Sequence, residues 1–146
     1  MANETMRKFG FPATLIREFE HWVVLLRPAQ VTLGSLVLAA KSEATAFGSL
    51  PPSAHAELAT ITAQLEATLN AEIRFDKINY LMLMMVDPHV HFHVFPRYQG
   101  SRLFHGISME DRGWPGPPDL KSGQEWPAAS FELLHARFLQ NWLITY

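Results

Sequence analysis

Apolar residues fall along this chain in two periods, and the switches between them mark its elements. Residues 13–19 alternate, with Leu15, Arg17 and Phe19 on one face of a predicted strand. Residues 21–27 are almost unbroken in apolarity (Trp22, Val23, Val24, Leu25, Leu26), the pattern of a strand buried on both faces, and Pro28 ends it. Residues 33–40 resume as a strand with Gly34 at its start, and 41–52 form a connector with room for one helical turn. Pro51, Pro52 and Ser53 then open a helix whose apolar positions Ala54, Leu58, Ile61, Leu65, Leu69 and Ile73 step by three or four residues, a single stripe to bury.

The second half returns to strands. Residues 77–86 read as one long hydrophobic strand, Asp87-Pro88 as a tight turn, and 89–98 as the returning partner. From Gln99 onward glycines and prolines interrupt any period, most densely at Trp114-Pro115-Gly116-Pro117-Pro118, which reads as a rigid surface loop. Ser130 is the expected cap of a last helix with Phe131, Leu134, Phe138 and Trp142 on one face. Residues 1–12 show no clear period and read as a loose arm. Hairpin-like connections predict a mostly antiparallel sheet and an α+β fold, in a single domain spanning 1–146.

Composition narrows the chemistry. The chain has 146 residues, 48% hydrophobic and 18% charged, which is globular, with a net charge of −2. That balance argues against a nucleic-acid polymer as partner, though a few donors are enough to hold a small phosphate ligand. There are no cysteines, which excludes disulfides, thiolate metal sites and cysteine nucleophiles. The polar start of the chain is unlike a signal peptide, and no apolar run approaches the ~20 residues that span a bilayer, so a cytoplasmic, non-membrane protein is expected.

Against this background His89-Val90-His91-Phe92-His93-Val94-Phe95 stands out. On a strand, alternation places the three imidazoles on one face and Val90, Phe92 and Val94 on the other. An exposed polar stripe, a metal site completed by Asp87 or His105, and nucleophilic catalysis by imidazole on phosphorus all fit this spacing. In the last case, one ring nitrogen attacks while the other donates its proton to a fixed acceptor, such as a backbone carbonyl. His21, His55, His105 and His135 stand alone and read as ordinary histidines.

The run matches His-φ-His-φ-His-φ-φ, with φ hydrophobic, and so resembles the histidine triad (HIT) family, as does the Pro96-Arg97 that follows. The apolar strand from Trp22, the proline loop, Gly34 and Leu36-Val37-Leu38 resemble the family's second hairpin, so the likeness covers about 13–98 and leaves 99–146 as a C-terminal extension. The resemblance implies a five-stranded mostly antiparallel sheet with one long packed helix, a homodimer, and a nucleotide hydrolase or transferase acting at an α-phosphorus, without a cofactor or metal. It makes His91 the nucleophile that forms a nucleotidyl-histidine (phosphohistidine) intermediate, the His89 carbonyl the partner of its other nitrogen, and His93 the group that contacts the phosphate and aids departure of the leaving group. Dinucleoside polyphosphates and nucleoside phosphoramidates are the implied substrates; a nucleotide-binding module with little turnover and a histidine-ligated metal hydrolase are the alternatives.

The chain departs from the family pattern around the triad. Ser35 stands where a fourth histidine is usual, Ala39-Ala40-Lys41 where a proline closes the strand, and Val86-Asp87-Pro88 where a Gly-Gln loop helps hold phosphate. Arg27 occupies the ribose-facing position that is commonly asparagine. Arg27, Ser35 and Arg97 are therefore the candidate nucleotide-binding residues beside the catalytic candidates His89, His91 and His93.

Overall fold

A computed structural model describes residues 2–145. Its centre is a five-stranded antiparallel sheet of β1 (Leu15–Glu18), β2 (Trp22–Leu26), β4 (Leu36–Ala40), β5 (Lys77–Leu81) and β6 (His91–Arg97), in the order β1-β2-β4-β6-β5. The long helix α2 (Pro52–Ile73) covers one face. Trp22, Val24, Leu26, Leu36, Leu38 and Val94 meet Ile61, Leu65 and Leu69 there in the main core. The Trp22 indole N–H donates to the Ala54 carbonyl at 2.9 Å and pins the helix start to β2. Every residue of β2 is buried, as its unbroken apolar run predicts, and so is every residue of β4.

The register assigns the other face. His91 pairs with Ala39 and His93 with Val37, which in turn pair with Val23 and Leu25. Val23, Leu25, Val37 and Ala39 form a second, smaller core, closed by Met6 and Phe9. The N-terminal segment is therefore no loose arm: it forms α1 (Glu4–Lys8), capped by the Asn3 side chain, which accepts from the Met6 N–H at 2.9 Å. The Asn3 amide donates to the carbonyls of Ala40 and Ser42, tying the cap to the end of β4. A helix this short owes its existence to packing, not to propensity, which is why periodicity does not reveal it.

Three other expectations are corrected. In β1 the register slips between Leu15 and Arg17, so Ile16 joins Phe19 on the main core while Leu15 turns to the smaller one. β5 stops at Leu81, and residues 82–90 form a loop in place of a longer strand and tight turn, with Met84 at φ 48°. The final helix α3 (Ala128–Asn141) begins after Pro127, so Ser130 lies inside it and caps nothing. Leu134 and Phe138 are buried as expected.

Gly34 is needed where it stands. Its φ is +89°, and a Cβ there would lie 3.0 Å from the Ile73 side chain. The connector holds a 3-10 turn at Phe47–Ser49.

The tail contains more order than its composition suggests. β7 (Ser101–Phe104) and β8 (Ile107–Glu110) form a hairpin whose two loop residues, His105 and Gly106, both have positive φ. β9 (Gln124–Glu125) then pairs with β3 (Ala29–Gln30), the segment just after β2. α3 returns to the sheet edge, where the His135 ring donates from Nε2 to the Leu15 carbonyl at 2.8 Å. The Trp142 indole N–H donates to the Gln64 side chain on α2.

Candidate active site

β6 places His91 and His93 two residues apart on the face away from α2, ring centroids 4.9 Å apart and nearly perpendicular. His91 is 1% exposed and His93 8%. His91 Nδ1 lies 2.7 Å from the His89 carbonyl oxygen. A carbonyl only accepts, so Nδ1 carries the proton and Nε2 of the neutral ring keeps its lone pair.

His89 itself precedes the strand, and its side chain does not join the other two at the cleft. Its Nδ1 meets the Thr5 hydroxyl of α1 at 2.9 Å and its Nε2 meets the Glu43 carboxylate at 3.0 Å. The expectation of three imidazoles in one strand ladder is thus corrected. The ladder begins at His91, because residue 90 instead bonds through its backbone to Ala40 and Ala44.

His93 has a different neighbour. Its Nδ1 accepts from Arg27 Nε–H at 3.3 Å, and its ring lies parallel to Phe95 at 6.1 Å. Burial, with the adjacent Arg27 charge and His91 adding to it, holds the His93 ring down to about 4. This has a consequence for stability. The unfolded ring binds a proton near pH 6.5 and the folded ring does not until about pH 4, so the unfolded state takes up more protons between them. The His93 contribution is fully present above pH 6.5 and is lost as pH falls toward 4. Urea unfolding at pH 7 and pH 4.5 is expected to show lower stability at the acid value, with a smaller difference in His93→Asn.

A cleft of about 320 Å³ opens over the two histidines. Its walls come from three parts of the chain: Lys8 and Phe9 at the end of α1, residues 83–87 of the loop before the triad, and Leu120 of the tail, with Arg27 at its floor. The Phe9 ring packs 5.7 Å from His91 and 5.5 Å from His93. Lys8 pairs with Asp87 at 2.9 Å across the mouth. Met85 and Val86 are 87% and 81% exposed, so the apolar residues that read as a strand extension are a cleft wall. Phe9, Lys8 and Leu120 escape the sequence reading because no local pattern connects them to the triad.

The other candidates occupy different places. Arg27 lies at the cleft as expected. Ser35 is 0% exposed, and its hydroxyl donates to the Thr32 carbonyl and accepts from the backbone N–H groups of Val31 and Thr32. It braces the turn before β4 and does not line the cleft. Arg97 is also buried, held by both carboxylate oxygens of Asp111 at 2.6 and 2.9 Å, by Asn79 and by the Gly116 carbonyl. It anchors the proline-rich loop to the sheet. Among the described residues no three His, Asp or Glu side chains are grouped to hold a metal ion, and His105 lies at the tip of the β7–β8 hairpin.

Comparison with known proteins agrees with this geometry. The HIT domain family matches residues 9–100. The fold is similar to that of a histidine triad protein from Sinorhizobium meliloti, with a TM-score of 0.75 and 22% identity over 97% of this chain and 96% of that one. A histidine triad protein from Marinobacter aquaeolei gives 0.73 and 19% over 98% of each chain. A hypothetical histidine triad nucleotide-binding protein from Sulfolobus tokodaii gives 0.67 and 18% over 94% of this chain and 88% of that one. A search of curated proteins returned no match. The likeness in fold extends through the tail, well beyond the segment that the sequence motif covers. The chain belongs to the histidine triad family, a family of nucleotide-binding proteins and hydrolases. No helix among the described residues is long and apolar enough to cross a membrane.

Proposed function

We propose that this protein is a nucleotidyl hydrolase or transferase in which His91 attacks an α-phosphorus. The observation that carries the reading is the 2.7 Å contact between His91 Nδ1 and the His89 carbonyl, which leaves Nε2 as an available nucleophile beside a cleft. As Nε2 forms the bond to phosphorus, the bond to the leaving group breaks and its electron pair goes with that group. The positive charge that develops on the His91 ring is stabilised by the His89 carbonyl. His93 contacts a phosphoryl oxygen, and the Arg27 charge behind it helps offset the charge gathering there. Water then attacks the nucleotidyl-histidine, releasing a nucleoside monophosphate and the free ring. Dinucleoside polyphosphates and nucleoside phosphoramidates are the substrate classes to assay, in a homodimer of the cytoplasm.

The test is direct. Rapid quenching of the protein with an adenylylated substrate is expected to trap an adduct of one nucleoside monophosphate by intact mass, with turnover unchanged by a chelator. Activity that needs stoichiometric zinc overturns the reading in favour of a metal hydrolase. Tight nucleotide binding without adduct or turnover makes the protein a binding module.

A further inference from the structure

His91 and His93 are neighbours with opposite partners. His91 Nδ1 faces an acceptor, whereas His93 Nδ1 faces the Nε–H of Arg27 at 3.3 Å. A guanidinium has donors and no acceptor, so the His93 nitrogen that meets it carries no proton. The proton of a neutral His93 ring therefore sits on Nε2.

Arg27 is itself held for this task. Its Nη1–H donates to the Ala29 carbonyl at 2.6 Å, and the guanidinium carbon lies 5.7 Å over the Phe95 ring that stacks with His93. Its backbone N–H donates to the Ser35 carbonyl, and its own carbonyl accepts from the Gln30 amide. The side-chain acceptors are all neutral, and among the described residues Arg27 forms no ion pair with a carboxylate. Its charge lies beside the two rings in the cleft, where the acidic group is Asp87, which favours the protonated His93 ring less strongly than burial and Arg27 oppose it and which is itself paired with Lys8.

We propose that Arg27 is a positioning residue that fixes His93 as the neutral Nε2–H tautomer, a donor to a phosphoryl oxygen and not a source of protons for the leaving group. The catalytic half of this inference rests on the function proposed above; the tautomer does not. When the His91–phosphorus bond forms and the bond to the leaving group breaks, that group takes the electron pair and departs as an anion, without a proton from His93. The site is then suited to groups stable as anions, such as phosphates, polyphosphates and carboxylates, and poorly suited to amines, which narrows the two substrate classes above to the dinucleoside polyphosphates. The low affinity of His93 for a proton, caused first by burial and then by Arg27, agrees with this division of labour.

Nitrogen NMR of the full chain with ¹⁵N-labelled histidine, without substrate, tests the tautomer. His93 is expected to show a bare Nδ1 and a protonated Nε2 from pH 5.5 to 8. In Arg27→Met the two tautomers are expected to mix and the titration midpoint to rise toward the ordinary histidine value of about 6.5. A protonated Nδ1 in the wild-type protein overturns the proposal, and that spectrum decides even where Arg27→Met does not fold. An unchanged spectrum in a folded Arg27→Met also overturns it. For the catalytic half, nucleoside monophosphates carrying leaving groups of graded basicity are expected to react ever more slowly as basicity rises. A flat dependence, with chemistry limiting the rate, removes the leaving-group assignment. No turnover with any of them overturns the proposed function while the spectrum still settles the role of Arg27.

Discussion

Replacing His91 with alanine is expected to lower turnover of nucleotidyl substrates by at least about 10⁴-fold and to abolish the covalent adduct, because the substitution removes the attacking atom itself. Binding of the substrate should change much less, since Arg27, His93 and the cleft walls remain. The two quantities are separable by single-turnover kinetics beside equilibrium titration with the product nucleotide. Folding should be preserved, although the buried ring packs against Phe9 and His93 and its loss leaves a small cavity. Retention of more than about a hundredth of wild-type turnover would show that another group attacks phosphorus.

The second large effect is on stability and lies away from the cleft. Asp111→Ala should destabilise the protein by about 3–5 kcal/mol, because it strands the buried guanidinium of Arg97. The carboxylate accepts two charge-assisted bonds from Arg97 and further bonds from the backbone N–H groups of Tyr98 and Gly113. The loss should appear in urea unfolding and, locally, as faster amide exchange around Trp114, whose N–H donates to the Asp111 carbonyl. The double replacement Arg97→Met, Asp111→Leu separates the strength of the pair from the cost of an unpaired charge. It should recover much of the loss, since no ion is then left buried without a partner. A change below about 1 kcal/mol in Asp111→Ala would place the pair with exposed ion pairs, against its burial.

The architecture was legible where periods are long. The buried runs around Trp22 and Leu36, the stripe from Ala54 to Ile73 and the alternation from His91 each identify an element that the sheet or α2 contains. The failures have physical causes. Leu83 to Val86 look like strand residues because apolarity signals burial, yet here the apolar side chains wall a cleft and Met85 and Val86 face solvent. His89 continues the alternation in sequence, but its ring is taken by Thr5 and Glu43, one of them on a helix that no local pattern announced. Ser35 is a nucleotide-binding candidate because it stands where the family usually has a fourth histidine, and the fold uses it to tie the 31–35 turn. Arg97 is a nucleotide-binding candidate because its positive charge follows the triad; only the distant Asp111 reveals its structural use. His91 and His93, which the motif supplies directly, lie on one face as the alternation predicts, since two positions on one strand need no distant information to share a face.

The cleft takes its walls from Phe9 and from Leu120, residues that stand well before and well after the triad in sequence. During synthesis, His91 and His93 leave the ribosome with the five strands already made, while β9 and α3 are still to come. The tail is tied to β3 by the pairing of Gln124–Glu125 with Ala29–Gln30, so the last wall of the cleft is set only after residues well beyond the triad have been made. A nascent chain stopped shortly after β6 would carry both histidines in an unfinished pocket.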